Sequence, residues 1–218
     1  MSAACELVAV TKRYGRLVAL HETTLTVRHG ELVGLIGPNG AGNTTMMRIA
    51  AGLLHPTTGT ARRADRTGAF VRYFGGERTL PPDVSARSWM AMWVPNAGGI
   101  TARRLGVLSR GTRQRIGLEA TLAGTSARLL LLDEPWEGLD PDGSRWLSQR
   151  LVEGRDAGMA MLVSSHRIHE LAEVCDRCDF LVRGRLATDR VVCAKDMPSA
   201  ERSARLFEAF VRLRAGAA

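Results

Sequence analysis

The chain has 218 residues, with 45% hydrophobic and 24% charged side chains, the balance of an ordinary globular protein with enough apolar material for a sizeable core. No apolar run approaches the roughly 18 residues that span a bilayer, and MSAACELVAV lacks the basic start of a secretory leader, so the chain is expected to fold and remain in the cytoplasm. The net charge of +8 is almost wholly arginine (only Lys12 and Lys195 are lysine), but no long block of like charge occurs, so the basic residues read as solvated faces rather than a nucleic-acid or lipid patch.

From the N-terminus, residues 7–10, 17–20, 25–27 and 31–36 read as strands, with turns at Tyr14-Gly15 and His29-Gly30. A glycine-rich loop follows, then a helical pattern over 44–51 and a turn at His55-Pro-Thr-Thr-Gly59. A strand over 69–74 runs into Gly75-Gly76-Glu77 and Pro81-Pro82. Ser85 is placed to cap a helix over 86–93, which has to stop before Pro95, and residues 96–104 are loop-like. A helix is expected over 110–123. Residues 128–133 read as a strand buried on both faces, from the continuous apolar run Leu129–Leu132 within them, ending in Asp133-Glu134-Pro135. Then come a helix over 143–154, a strand over 159–164 ending at Ser165-His166, a helix over 168–175, strands over 180–183 and 185–188, and an amphipathic helix over 199–213. The alternation predicts an α/β fold: a mostly parallel sheet flanked by helices, with an antiparallel β portion at the N-terminus.

Cys5, Cys175, Cys178 and Cys193 make a poor disulfide framework for such a chain. Cys175-Asp-Arg-Cys178 has the C-x-x-C spacing, but no second pair completes a zinc site and it lies at the end of a helical pattern. The cysteines therefore read as buried structural thiols.

The segment with the clearest chemistry is ELVGLIGPNGAGNTTMMRIAA (31–51). Strand, glycine-rich loop and helix in that order bring backbone N–H groups and a helix N-terminus onto the phosphates of a nucleotide. Gly37, Gly42 and Thr44 fall at the spacing of the P-loop, G-x-x-x-x-G-K-[ST], with Asn43 where that pattern has lysine.

Several segments, in order from about residue 7 to 188, resemble the ATP-binding subunits of ABC transporters. GPNGAGNTT matches their Walker A loop, LSRGTRQR (108–115) their LSGGQ signature, and LLLLDEPWEGLDP (129–141) their Walker B strand and D-loop. The resemblance implies a P-loop NTPase of ABC type, a single ABC ATP-binding domain over 1–218. It implies ATP and Mg²⁺ as cofactors: Tyr14 stacks on adenine, and Gly37, Pro38, Asn39, Gly40, Ala41, Gly42, Asn43, Thr44 and Thr45 wrap the phosphates. Thr44 and Asp133 hold Mg²⁺, Glu134 polarises the attacking water, and His166 contacts the γ-phosphate. Ser109, Arg110 and Gly111 of the signature face the nucleotide held by a partner subunit, and Asp140 belongs to the D-loop. The implied assembly is a head-to-tail homodimer or pseudo-dimer of ATP-binding subunits, peripheral on the cytoplasmic face of the cell membrane and driving a separate integral membrane permease.

The chain departs from that pattern in four places. Asn43 removes the lysine ammonium, which leaves two readings open: a working ATPase, or a degenerate nucleotide-binding regulator. Alignment on Leu80 and Pro82 puts Gly76 near the position of the family's Q-loop glutamine, with Glu77 the nearest polar substitute. Trp136 stands where a small hydroxyl residue is usual. Residues 77–108 number only 32, so the helical subdomain (about 77–125) that grips the permease is abbreviated. A C-terminal helix, about 199–218, completes the expected domain. A nucleic-acid-associated ABC protein is the third reading, set aside because no second such domain or long inserted arm is present.

Overall fold

The computed structural model describes residues 2–64, 71–94, 99–123, 128–187, 190–193 and 196–216. Strands β1 (Ala3–Tyr14) and β2 (Leu17–Arg28) form a long hairpin, followed by β3 (Leu32–Ile36) and α1 (Asn43–Ala51). Next come β4 (Thr58–Arg63), β5 (Val71–Phe74), α2 (Ala86–Ala91) and α3 (Arg110–Leu122). The remainder is β6 (Leu129–Asp133), α4 (Pro141–Asp156), β7 (Ala160–Ser164), α5 (Ile168–Val174), β8 (Arg177–Val182), β9 (Arg185–Leu186), β10 (Val191–Val192) and α6 (Ser199–Gly216).

The larger sheet runs β10-β8-β3-β7-β6-β5, parallel throughout from β8 to β5, with β10 and β9 each pairing antiparallel to β8. β3, β6 and β7 are buried at every residue, so their continuous apolar runs are apolar on both faces. Period-two alternation divides each run between two cores. Leu32, Ile36, Leu130, Leu132, Met161 and Val163 face the side covered by α3, α4, α5 and α6. Val33, Leu35, Leu129, Leu131, Ala160 and Leu162 face α1 and, beyond it, the antiparallel sheet β2-β1-β4. α1 is therefore sandwiched between two sheets, with Met46, Met47, Ile49 and Ala50 buried. That packing fixes the loop leading into it.

Three expectations change. Residues 58–63 are a strand, not just the end of a turn; their pattern is largely exposed and shows no apolar alternation, and β4 is held by its ladder to β1 and a Thr11–Thr58 hydroxyl bond of 2.8 Å. β1 and β2 are each a single long strand with bulges rather than shorter pieces. The helix expected over 86–93 ends at Ala91, although Ser85 caps it as expected by accepting from the Ser88 amide at 3.0 Å. Residues 69 and 70 of the expected strand, 96–98 of the loop and 188 at the end of the last strand lie outside the described residues. All four cysteines are free and buried. Cys175 and Cys178 occupy the space left by Gly34, where an added Cβ would sit 2.6 Å from the Cys178 Sγ and 3.1 Å from the Cys175 Sγ. Their place is packing beneath β3.

Candidate active site

The C-terminal ends of β3, β6 and β7 deliver the reactive segments to one edge of the larger sheet, where parallel α/β sheets bind ligands. The β3–α1 loop adopts a phosphate-cradle conformation, with Gly40 at φ 81° and Gly42, the N-cap of α1, at φ 108°. A Cβ at Gly37 would meet the Leu181 carbonyl oxygen at 2.6 Å and the Asn43 Oδ1 at 2.7 Å, so only glycine fits. The first turn of α1 carries no acidic residue to oppose an anion.

A cleft of about 530 Å³, within the range of small-molecule sites, joins this loop to the other segments. Tyr14, Pro38, Asn39, Gly40, Gly42, Asn43, Thr44, Thr45, Asp133 and Glu134 all line it. Gly37 and Ala41 shape the loop from beneath: the Gly37 carbonyl accepts from Asn43 Nδ2, and the Ala41 carbonyl accepts from the Gly184 amide at 2.9 Å. Tyr14, at the end of β1, is half exposed, with the Lys12 ammonium 5.2 Å from its ring centre.

Thr44 Oγ1 donates to Asp133 Oδ2 at 2.6 Å, while Ser164 Oγ donates to Asp133 Oδ1 at 2.5 Å. A hydroxyl and a carboxylate converging on one point of the cleft are the hard oxygen donors that suit Mg²⁺ bound together with phosphates and water. Glu134 stands at φ 49°, an uncommon conformation for a side-chain-bearing residue, held by its amide donating to Ser164. That twist separates it from Asp133. Its Oε2 lies 2.9 Å from His166 Nδ1 and also accepts from the His166 amide at 3.4 Å. Burial pushes the Glu134 carboxyl above its ordinary value, and His166 partly offsets the shift.

Asn43 does not reach into the cleft as a lysine would. Its Nδ2 donates to the Gly37 carbonyl at 3.3 Å and its Oδ1 is buried without a partner. Gly76 has φ 87° and ψ 171°, a conformation essentially reserved for glycine, and a Cβ there would point into open space. Glu77 is buried among the guanidinium groups of Arg113 at 2.9 Å, Arg110 at 3.5 Å and Arg78 at 3.8 Å.

The signature residues lie elsewhere. Ser109 caps α3 by accepting from the Thr112 amide, and with Gly111 and Asp140 it lines a separate hollow. Gly111 packs so closely on the D-loop that a Cβ would lie 2.6 Å from the Gly138 oxygen. Asp140 caps α4, accepting from the Gly143 amide at 2.6 Å. Arg110 alone turns back toward its own chain, pairing with Glu137 at 2.5 Å and lining a hollow with Thr44, Asp133 and Glu134.

Two residues of the site were not anticipated. Gln114 accepts from the Glu77 amide at 2.9 Å and donates to the Pro135 and Glu134 carbonyls, tying the residue-76 loop to the end of β6. Ser164 orients Asp133 and holds Glu134. Gln114 could have been found as the glutamine of the LSRGTRQR string; Ser164, as a strand-end serine, carries no such signal.

The ABC transporter family model matches residues 20–137. The chain is 32% identical over 212 residues to an uncharacterized ABC transporter ATP-binding protein, YhcH, of Bacillus subtilis, covering 85% of this chain and 69% of that protein. It is 33% identical over 218 residues to a phosphonates import ATP-binding protein of Natronomonas pharaonis, covering 86% and 93% of the two chains. In fold it is similar to a dimeric post-hydrolysis ATP-binding cassette bound to ADP and Pi, with a TM-score of 0.74, 21% identity and coverage of 87% and 99%. By fold, motif order and sequence likeness, this chain belongs to the ABC transporter family, among its ATP-binding subunits.

Proposed function

We propose that the chain binds Mg-ATP in the cleft between Tyr14 and Thr44 and hydrolyses it to drive a separate integral membrane permease. The observation that carries this reading is the placement of Glu134 and His166, 2.9 Å apart, beside the Thr44–Asp133 pair. No described helix is long and apolar enough to cross a membrane. In this reading the permease is another chain, and this subunit sits peripherally on the cytoplasmic face of the membrane. The reading takes residues 1–218 as a single ABC ATP-binding domain.

Thr44 and Asp133 are the residues that would hold Mg²⁺, which when bound would supply neutralisation of the phosphate charge. Glu134 accepts the proton of a water attacking the γ-phosphorus in line, and the bond to the β-phosphate oxygen breaks, leaving ADP and phosphate. Burial, which raises the Glu134 carboxyl, makes it a stronger base than a solvated glutamate. His166 orients Glu134 and donates to the transferred group. Ser109 and Gly111, in their separate hollow, serve the nucleotide of a second subunit, which would make the working unit a head-to-tail homodimer or pseudo-dimer. The shortened segment over about 77–125 is the part that would meet the permease.

A second reading, a nucleotide-binding regulator with little hydrolysis, is favoured by two observations. Asn43 is turned onto Gly37, and Gly76 offers no side chain at the Q-loop position. Phosphate release and Mg-ATP binding measured on the wild type and Glu134→Gln decide between them. The first reading expects hydrolysis that the substitution abolishes while binding is kept. Weak binding with little or no hydrolysis in either form would establish the second, and absence of binding would overturn both.

A further inference from the structure

Loss of the P-loop lysine leaves a specific deficit. The cleft is lined by two carboxylates, Asp133 and Glu134, and the Asn43 amide is spent on the Gly37 carbonyl. Among the described residues that line it, one side chain is cationic: Arg183. It lies far along the chain, in the two-residue turn between Val182 of β8 and Arg185 of β9.

That turn is built against the phosphate loop. The Gly184 amide donates to the Ala41 carbonyl at 2.9 Å, and the Gly184 carbonyl accepts from the His21 amide at 2.7 Å. The Leu181 carbonyl closes over Gly37 from the same side. Arg183 has φ 49° and Gly184 φ 74°, the two positive values that a type I′ hairpin demands. Asparagine, aspartate and glycine suit the first of those positions; an arginine there is held against its backbone preference. Its side chain is exposed and borders the loop that would carry the phosphates.

We propose that Arg183 is a nucleotide-binding residue of this chain, supplying from the β8–β9 turn the phosphate counter-charge that Asn43 cannot. The proposal rests on the ATP-binding reading above. A guanidinium on a flexible stem matches phosphate oxygens in pairs and keeps its charge at all working pH values. Anchored through Gly184, it approaches the loop from outside, whereas a lysine at 43 would approach from the helix.

The test is titration calorimetry of the full chain with MgADP and with the β,γ-imido analogue of MgATP. Arg183→Gln is expected to weaken binding about tenfold, and Arg183→Lys to recover most of it. In an Asn43→Lys background the same Arg183→Gln change should cost no more than about twofold, because the two cations serve one charge. Arg183→Asn places in the turn a residue it prefers, so lost binding in a variant that melts no lower than wild type is loss of charge, not of fold. Unchanged affinity in Arg183→Gln, or the same loss in both backgrounds, overturns the proposal. A wild-type chain that binds neither nucleotide overturns the ATP-binding reading itself, and this proposal with it.

Discussion

In the proposed function, Asn43 is the residue on which activity turns. A lysine ammonium about 4 Å from a phosphate oxygen is worth about 4 kcal/mol at an effective dielectric of 20. If half is recovered by water or arginine, nucleotide binding or hydrolysis falls by tens to hundreds of fold. Asn43→Lys is therefore expected to raise the ATPase rate at least about tenfold in a phosphate-release assay; equal rates would refute this account of position 43. The break in the motif is legible in the sequence, but the direction of the amide is not, because it depends on the Gly37 carbonyl closing a hydrogen bond across the loop. A second residue, Glu170, sits buried at the start of α5, four positions after His166 and beside Arg167, and burial pushes its carboxyl from 4.5 up to about 7. The raised value means the unfolded chain releases this proton first, so the stability it contributes is fully present below about pH 4.5 and is lost as pH rises through about 7. Glu170→Gln should gain on the wild type across that window, by about 1–3 kcal/mol at its upper end, in denaturant titrations at pH 4.5, 6 and 8.

At the scale of elements, β3, β6 and β7 announced themselves by the apolar runs that burial on both faces imposes. β8, by contrast, begins at Arg177, earlier than the expected 180, because the buried Arg177 and Asp179 pair with each other and break the apolar run. Helices α2 and α3 were legible at their starts because Ser85 and Ser109 each cap one, whereas α4 begins at Pro141, two residues before the expected start, because Asp140 of the D-loop is its cap. β4 was not legible, because an edge strand held by backbone pairing to β1 needs no apolar face of its own. Trp136, which reads as a departure at a polar position, is wholly buried under the D-loop, with its indole N–H unpartnered. The position is a core site, and its neighbours in sequence gave no sign of it. Helix α3 presses on β5 at Gly117, where an added Cβ would collide with the Phe74 ring. Alanine is the better helix former by about 1 kcal/mol, but overpacking costs about 1–3 kcal/mol. Gly117→Ala is accordingly expected to lower the melting temperature; a rise would mean that Phe74 has room to move aside.

On the scale of the whole molecule, the P-loop cleft and the hollow of Ser109 and Gly111 lie apart on the chain, and in the proposed function they are halves of one site. Of the signature string, Arg110 and Gln114 line the hollow with Thr44, Asp133 and Glu134, whereas Ser109 and Gly111 line a hollow of their own. The proposed pairing of these halves predicts that Glu134→Gln, which would bind Mg-ATP without consuming it, doubles its mass in light scattering when Mg-ATP is added. A mass that stays monomeric at micromolar chain concentration would remove the dimer from the mechanism. From residue order alone came the α/β class, the P-loop, the missing lysine and the strand-end carboxylates, since each rests on local spacing or on a periodicity that burial imposes; the family came from the resemblance of the ordered motifs to known ATP-binding subunits. Only the tertiary structure decided that Gln114 ties the residue-76 loop to β6, that Arg110 turns inward to Glu137, and that the turn bearing Arg183 borders the phosphate loop. Those contacts join segments that lie far apart along the chain, and no local pattern encodes which distant groups a folded sheet will bring within hydrogen-bonding reach.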